Sequence, residues 1–318
     1  MTGVPELSVV VPVFNERAVL PELWRRLTEA LAGVRQGYEV VFVDDGSSDG
    51  STEYLTELAR QEPAVWVIVL SRNFGMEVAM SAGIDNAAGD HVVLMHADLQ
   101  DPPELIPEML AALREADADV VYTRRIGSAE SRLKRFLATV FYRLMERVSR
   151  VPYQGQAGDF KLMTRRVVDV LGQMGERRRF LRGMVAWAGF RQVPIDYHRE
   201  RRTSGRGASY GALLRLAFEA LAAFSDVPLH IATYFGFLAA GAGLTAGIVT
   251  VILLVLGVVE LTLSLGLLIA IIFLGGVQLI TIGILGRYLA RVHEEALDRP
   301  LYVVDRVVGR PSTPAGAD

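Results

Sequence analysis

The sequence predicts an α/β protein with a mostly parallel sheet, continued by interfacial amphipathic helices and a C-terminal pair of membrane-spanning helices. Three observations carry this. Short apolar runs alternate with segments of helical period from Leu7 to Thr123, the rhythm of strand–helix–strand units with helices on both faces of a sheet. No Asp, Glu, Lys or Arg occurs from Val227 to Val259, nor, after Glu260, from Leu261 to Gly286. As one helix that stretch would run to roughly 85 Å against a bilayer core of about 30 Å, so two spans joined near Gly257 to Thr262 fit better than one. The chain also has no Cys, which excludes disulfides and thiolate metal sites.

The elements follow in order. Leu7 to Phe14 (LSVVVPVF) is an apolar strand, too short and too poor in basic residues to be a signal peptide. Leu20, Leu23, Leu27 and Leu31 then recur at helical spacing. A second strand ends in Asp44 and Asp45 (YEVVFVDD) before a turn and a helix start, with Asp49 the expected N-cap. Val65 to Leu70 is a third strand, residues 75–88 a helix, Val92 to Met95 a fourth strand and Asp119 to Thr123 a fifth. There is neither a GxGxxG nor a GxxxxGK[ST], which disfavours dinucleotide and P-loop folds.

Charge divides the chain. Residues 1–120 carry 7 Lys/Arg against 21 Asp/Glu, and residues 121–229 carry 21 against 9. A basic middle beside apolar spans points to an anionic membrane surface or lipid phosphate, and away from nucleic acid. Residues 131–148 and 210–224 show amphipathic periods, and the second, immediately before the first span, is read as an interfacial helix. Arg287, Arg291, Arg299, Arg306 and Arg310 follow the second span, so both flanks of the pair are basic and both are expected to be cytoplasmic.

The segment HVVLMHADLQDPPE (His91 to Glu104) is the most informative. Open α/β sheets bind ligands at the carboxyl ends of their strands, and here a buried strand delivers His96, Asp98, Gln100 and Asp101 to that edge. His96, Asp98 and Gln100 share parity, so an extended chain would aim all three at one point, a donor set suited to a divalent cation holding a diphosphate. The alternative is a polar loop that only caps the strand.

VVPVFNE, VDDGSSDGS, SRNFG, ADLQDPPE, GDFKLM and RPLYVV occur in the order seen in family 2 glycosyltransferases. The chain resembles, over nearly its whole length, the polyisoprenyl-phosphate glycosyltransferases, the dolichol-phosphate mannose synthases and their bacterial two-span relatives. The resemblance implies a GT-A nucleotide-sugar-binding domain over residues 1–208, an interfacial helix over 209–228, spans at about 229–256 and 262–286 within a membrane region 229–289, and a cytoplasmic tail over 290–318. It implies that Pro12, Phe14 and Glu16 form the first nucleotide-contacting loop, that Val43 and Asp45 hold the base, and that Ala97 and Asp98 meet the donor. It also implies that Asp98 and Gln100, with His96, bind a divalent metal (Mg or Mn). Arg124 and Arg202 resemble arginines that hold phosphates, a task suited to the planar guanidinium. Asp159 either orients the acceptor or serves as a structural turn acid.

The pattern is broken in places. Relatives carry Asp where this chain has His96, often Asp at Gln156, and a Lys in the loop that here reads GRGASYG. An imidazole suits Mn, Fe or Zn better than Mg. The expected activity is membrane-bound, inverting transfer of a hexose from a UDP- or GDP-sugar to polyisoprenyl (undecaprenyl) phosphate, on the cytoplasmic face of a bacterial inner membrane, with homo-oligomerisation left open. The alternatives are a catalytically weakened relative that binds or scaffolds at the membrane, and a polysaccharide synthase-type transferase, whose usual Gln-x-x-Arg-Trp motif is absent here.

Overall fold

The computed structural model describes residues 4–34, 37–125, 157–177, 179–197, 227–256 and 263–309. The two amphipathic segments, Gln156, the GRGASYG loop and Arg202 lie outside these residues. The chain divides into two units, one containing residues 1–142, 151–207 and 299–318, the other containing 143–150 and 208–298.

The first unit is built on an eight-stranded sheet: β1 (Leu7–Val13), β2 (Tyr38–Asp44), β3 (Val65–Leu70), β4 (His91–Leu94), β5 (Val120–Arg125), β6 (Ala157–Thr164), β7 (Gln192–Tyr197) and β8 (Val304–Val308). Their order is β7-β5-β6-β4-β1-β2-β3-β8. β1 pairs in parallel with β2 and β4, β2 with β3, and β5 with β7, while β6 runs antiparallel to both β4 and β5. The helices are α1 (Leu20–Leu31), α2 (Ser51–Gln61), α3 (Met76–Asn86), α4 (Ile106–Glu115), α5 (Arg165–Gln173) and α6 (Leu181–Trp187).

Side-chain alternation along the strands splits the core in two. Val9, Val11, Val13, Val40, Phe42, Val67, Phe160 and Leu162 face α1, α2 and α4. Val10, Val41, Val43, Ile68, Leu94 and Met163 face α3, α5 and α6. Leu20, Leu23, Leu27 and Leu31 are the buried stripe of α1, as their spacing predicts.

β1, β2 and β3 advance across the sheet in one direction, and β4 then returns to the other side of β1. The loops leaving the carboxyl ends of β1 and β4 therefore diverge, which is where an open α/β sheet forms a ligand crevice.

The sequence reading ended the sheet-forming part of the chain before residue 209 and left 290–318 as a tail. The structure instead returns residues 304–308 to the sheet as β8, antiparallel to β3. The Ser71 N–H donates to the Val303 carbonyl, and the Tyr302 hydroxyl donates to Asp85 at the end of α3 (3.2 Å). An eighth strand of five residues after two long helices leaves little local signal, because its partner lies more than two hundred residues upstream.

In the second unit, α7 (Val227–Val255) and α8 (Leu263–Ala296) pack against each other. At 1.5 Å per residue they measure roughly 43 and 51 Å. Among the described residues, one helix meets the length and hydropathy of a membrane span, α8 over Phe273–Ala290, and none of that stretch is buried within the chain.

Candidate active site

A cleft of about 210 Å³ opens at the switch point, lined by Pro12, Val13, Phe14 and Glu16 after β1, Asp45 after β2, Asn73, Gly75, Met76 and Ala79 at the start of α3, and His96, Ala97 and Asp98 after β4. The walls are set by loop-to-loop hydrogen bonds. Asn15 takes φ 57°, its side-chain oxygen accepts the Ser48 N–H (2.8 Å), and its own N–H donates to Ser47 Oγ (3.0 Å). The Glu16 N–H donates to Ser51 Oγ and the Arg17 N–H to Asp49. The DGSSDGS run thus holds the β1 loop in place. Asp49 was expected as the N-cap of α2. Gly50, at φ 90°, occupies that position, and Asp49 accepts the Ser51 N–H from one residue earlier.

Gly46 (φ 74°) lets the third loop close in, since a Cβ there would lie 2.8 Å from the backbone of Arg72 and Asn73. That approach lets Asp45 accept the N–H groups of Phe74 (2.7 Å) and Gly75 (2.9 Å) at the start of α3. Burial pushes the Asp45 carboxyl above its ordinary range, against the pull of those two donors. Val43, the other residue assigned to the base, is fully buried in the core beneath α3 and is not among the lining residues.

The β4 loop departs from the extended path that would aim His96, Asp98 and Gln100 at one point. Leu99 adopts φ 60°, which breaks the alternation between Asp98 and Gln100. His96 and Asp98 line the cleft, while the Gln100 side chain is 3% exposed and outside the lining. Its backbone N–H donates to Asp98 Oδ1 (3.1 Å), and its Oε1 is buried without a hydrogen-bond partner. Among the described residues no group of three His, Cys, Asp or Glu side chains is placed to hold a metal.

Asp101 does more than shape the turn before Pro102. It is 4% exposed, accepts the His96 N–H (3.1 Å) and receives the Tyr197 hydroxyl (3.4 Å). Asp101→Ala leaves both donors without this acceptor and is expected to cost roughly 1–3 kcal/mol of stability, read as a fall of several degrees in the thermal midpoint.

Asp159 on β6 is held by Arg182 of α6, whose Nε and Nη2 donate to its carboxylate at 3.2 and 2.9 Å. Its Oδ2 lies 3.9 Å from His96 Nε2. Burial alone would push this carboxyl up, but the charges of Arg182, Lys161 and His96 hold it below its ordinary range. An acid so held is a poor proton acceptor and a good anchor. Arg124 forms a forked pair with Asp196 on the neighbouring β7 (2.6 and 2.9 Å).

The structure therefore brings Pro12, Phe14, Glu16, Asp45, His96, Ala97 and Asp98 to one cleft, sets Asp159 behind His96, and leaves Val43 in the core. Asn73, Met76 and Ala79 were missed as lining residues, although the SRNFG segment, which contains Asn73 and leads into Met76, was a visible signal. Arg182 was missed because it sits among other arginines with no pattern to single it out.

Residues 8–172 match the family described as glycosyl transferase family 2. The chain is 40% identical to an uncharacterized glycosyltransferase of Synechocystis sp., the match covering 96% of each. It is 36% identical to a prophage bactoprenol glucosyl transferase homolog of Escherichia coli, over 95% of this chain and 99% of that one. With the bactoprenol glucosyl transferase of Shigella phage SfII it shares 38% identity, over 95% of this chain and 98% of the other.

Proposed function

The chain belongs to glycosyl transferase family 2 and is a glycosyltransferase, and from that premise we propose that it transfers a hexose from a UDP- or GDP-sugar to a polyisoprenyl phosphate. The observation that carries the reading is the switch-point cleft, lined together by the buried Asp45 after β2, Asp98 after β4 and the start of α3. Asp45 can accept from a base or ribose donor. Phe14 and Met76, 47% and 45% exposed at the rim, offer apolar surface to a base.

The transfer breaks the bond between the anomeric carbon and the donor's β-phosphate oxygen, and forms a bond from that carbon to an acceptor phosphate oxygen. Direct displacement inverts the centre, giving a β-linked product from an α-linked donor. A phosphate monoester, with a second pKa near 6, is already anionic and needs no dedicated base. Asp159, committed to Arg182, accords with that.

A divalent cation fits the β4 loop in its donor chemistry. Asp98 lines the cleft, and the flanking His96 Nε2 and Gln100 Oε1 are acceptor-capable atoms without hydrogen-bond partners. Asp98 and His96, which line the cleft, would hold it, while Gln100 Oε1 lies outside the lining, and it would neutralise charge on the leaving diphosphate. The helices α7 and α8 would hold the enzyme at the bilayer as a two-span hairpin, the sheet unit on the cytoplasmic side, where a lipid acceptor is met. Their uncharged sequence and basic flanks support this.

The test is a screen of UDP- and GDP-sugars against undecaprenyl phosphate with Mg and Mn. Turnover with one donor and an inverted product is expected. The wild-type chain should prefer Mn, and His96→Asp should raise Mg-supported turnover, because a carboxylate suits the harder cation. A folded wild-type chain that turns over no donor with either metal would instead favour the scaffolding alternative.

A further inference from the structure

Four ionisable side chains, Glu77, Asp159, Lys161 and Arg182, make a polar cluster on the α3/α5/α6 face of the sheet, and none of them lines the cleft. Lys161 pairs with Leu94 in the β4–β6 ladder, so continuing the antiparallel register sets Asp159 opposite His96, just beyond the last pair. Lys161 and Asp159 are two apart and share a face with Met163, while Phe160 and Leu162 point into the other core. Lys161 is only 3% exposed. Glu77, in the first turn of α3, accepts the N–H of Leu181 (3.0 Å), the first residue of the helix that carries Arg182. Arg182 in turn grips Asp159, whose Oδ2 lies 3.9 Å from His96 Nε2.

The cluster holds two acids and two bases. Burying a lysine is costly unless opposite charge offsets it, and removing one cation here would leave an uncompensated carboxylate behind the donor cleft. We propose that Lys161 is a positioning residue that keeps the Glu77–Asp159–Arg182 cluster neutral and closed, and so fixes the ring of His96 at the cleft wall. Its effect on turnover rests on the transferase reading above. Its effect on His96 does not.

Burial pushes the Lys161 ammonium down to about 8; Asp159 and Glu77 oppose that fall and Arg182 adds to it. The groups facing it are Glu77 from α3, Arg182 from α6, Asp159 from its own strand and, beyond Asp159, His96. Between pH 8 and the ordinary lysine range near 10.4, the unfolded chain binds a proton the folded chain has released. Lys161 therefore contributes rising stability across that window, while the positioning it provides is lost. Activity and stability should part company there.

The test follows the His96 ring resonances in the full-length chain by NMR, assigned with His96→Gln, alongside steady-state kinetics. Lys161→Met is expected to shift those resonances and lower kcat by about 10-fold to 100-fold, with donor KM within about twofold. Adding Glu77→Gln to Lys161→Met restores charge balance and should recover most of both. In a His96→Ala background, Lys161→Met should cost little more. In the wild-type chain the His96 resonances should show an inflection near pH 8, an arm that stands even where Lys161→Met does not fold. Unmoved His96 resonances in folded Lys161→Met, additive losses with His96→Ala, or no inflection near pH 8 each overturn the assignment. Absence of turnover in the wild type with every donor–acceptor pair defeats the transferase reading alone.

Discussion

Asp98→Ala is expected to lower sugar transfer by about 100-fold or more while shifting the thermal midpoint by no more than a degree or two. The side chain lines the cleft, and among its hydrogen bonds is the Gln100 N–H within its own loop. Losing it removes the cleft carboxylate to which the proposed mechanism assigns the donor diphosphate, without opening the core. Asp101→Ala provides the contrast, because it should cost stability first and rate second. Donor binding by calorimetry and unfolding by scanning fluorimetry separate the two. Wild-type turnover in folded Asp98→Ala would remove Asp98 from the mechanism.

The second large effect concerns α7 and α8. Ending the chain at Asp226 would be a poor test, because it also deletes β8 and leaves β3 as a bare edge. The informative variant replaces residues 227–298 with a flexible linker and keeps 299–318. It should bind donor as the parent does and lose about 100-fold or more of its transfer to long-chain lipid phosphate, since the acceptor is no longer met at a surface. Transfer to a short, water-soluble prenyl phosphate should survive. Undiminished use of the long-chain lipid by this variant would show that the helices do not organise acceptor delivery.

The sheet was legible in sequence where apolar runs were continuous. β3 was read at its observed bounds, and β1, β2, β4 and β5 within a residue or two, because buried parallel strands need no polar alternation. The cleft was legible for the same reason: the polar residues that end those strands, Asp45, His96 and Asp98, fall together at the switch point. What was hidden depended on backbone turns or distant partners. The φ of Leu99 sends Gln100 away from the direction that parity gave it. Val43 is one residue from the strand's end, yet its alternation buries it under α3. Lys161 stands in the GDFKLM segment with nothing local to mark it as buried, and the register of β6 against β4 sets it in the sheet beside Asp159.

The late return of β8 also fixes an order of manufacture. The strand that covers the β3 edge is translated after both long apolar helices, so the nascent sheet stays incomplete while they emerge. Given a membrane-inserted α7 and α8, β8 reaches β3 only when the chain has crossed the bilayer an even number of times. A chain inserted with a single crossing would strand β8 on the far side and leave an apolar edge open to aggregation and proteolysis. On that proposed topology, completion of the sheet would serve as a built-in check on insertion, read by whether the final strand finds its place.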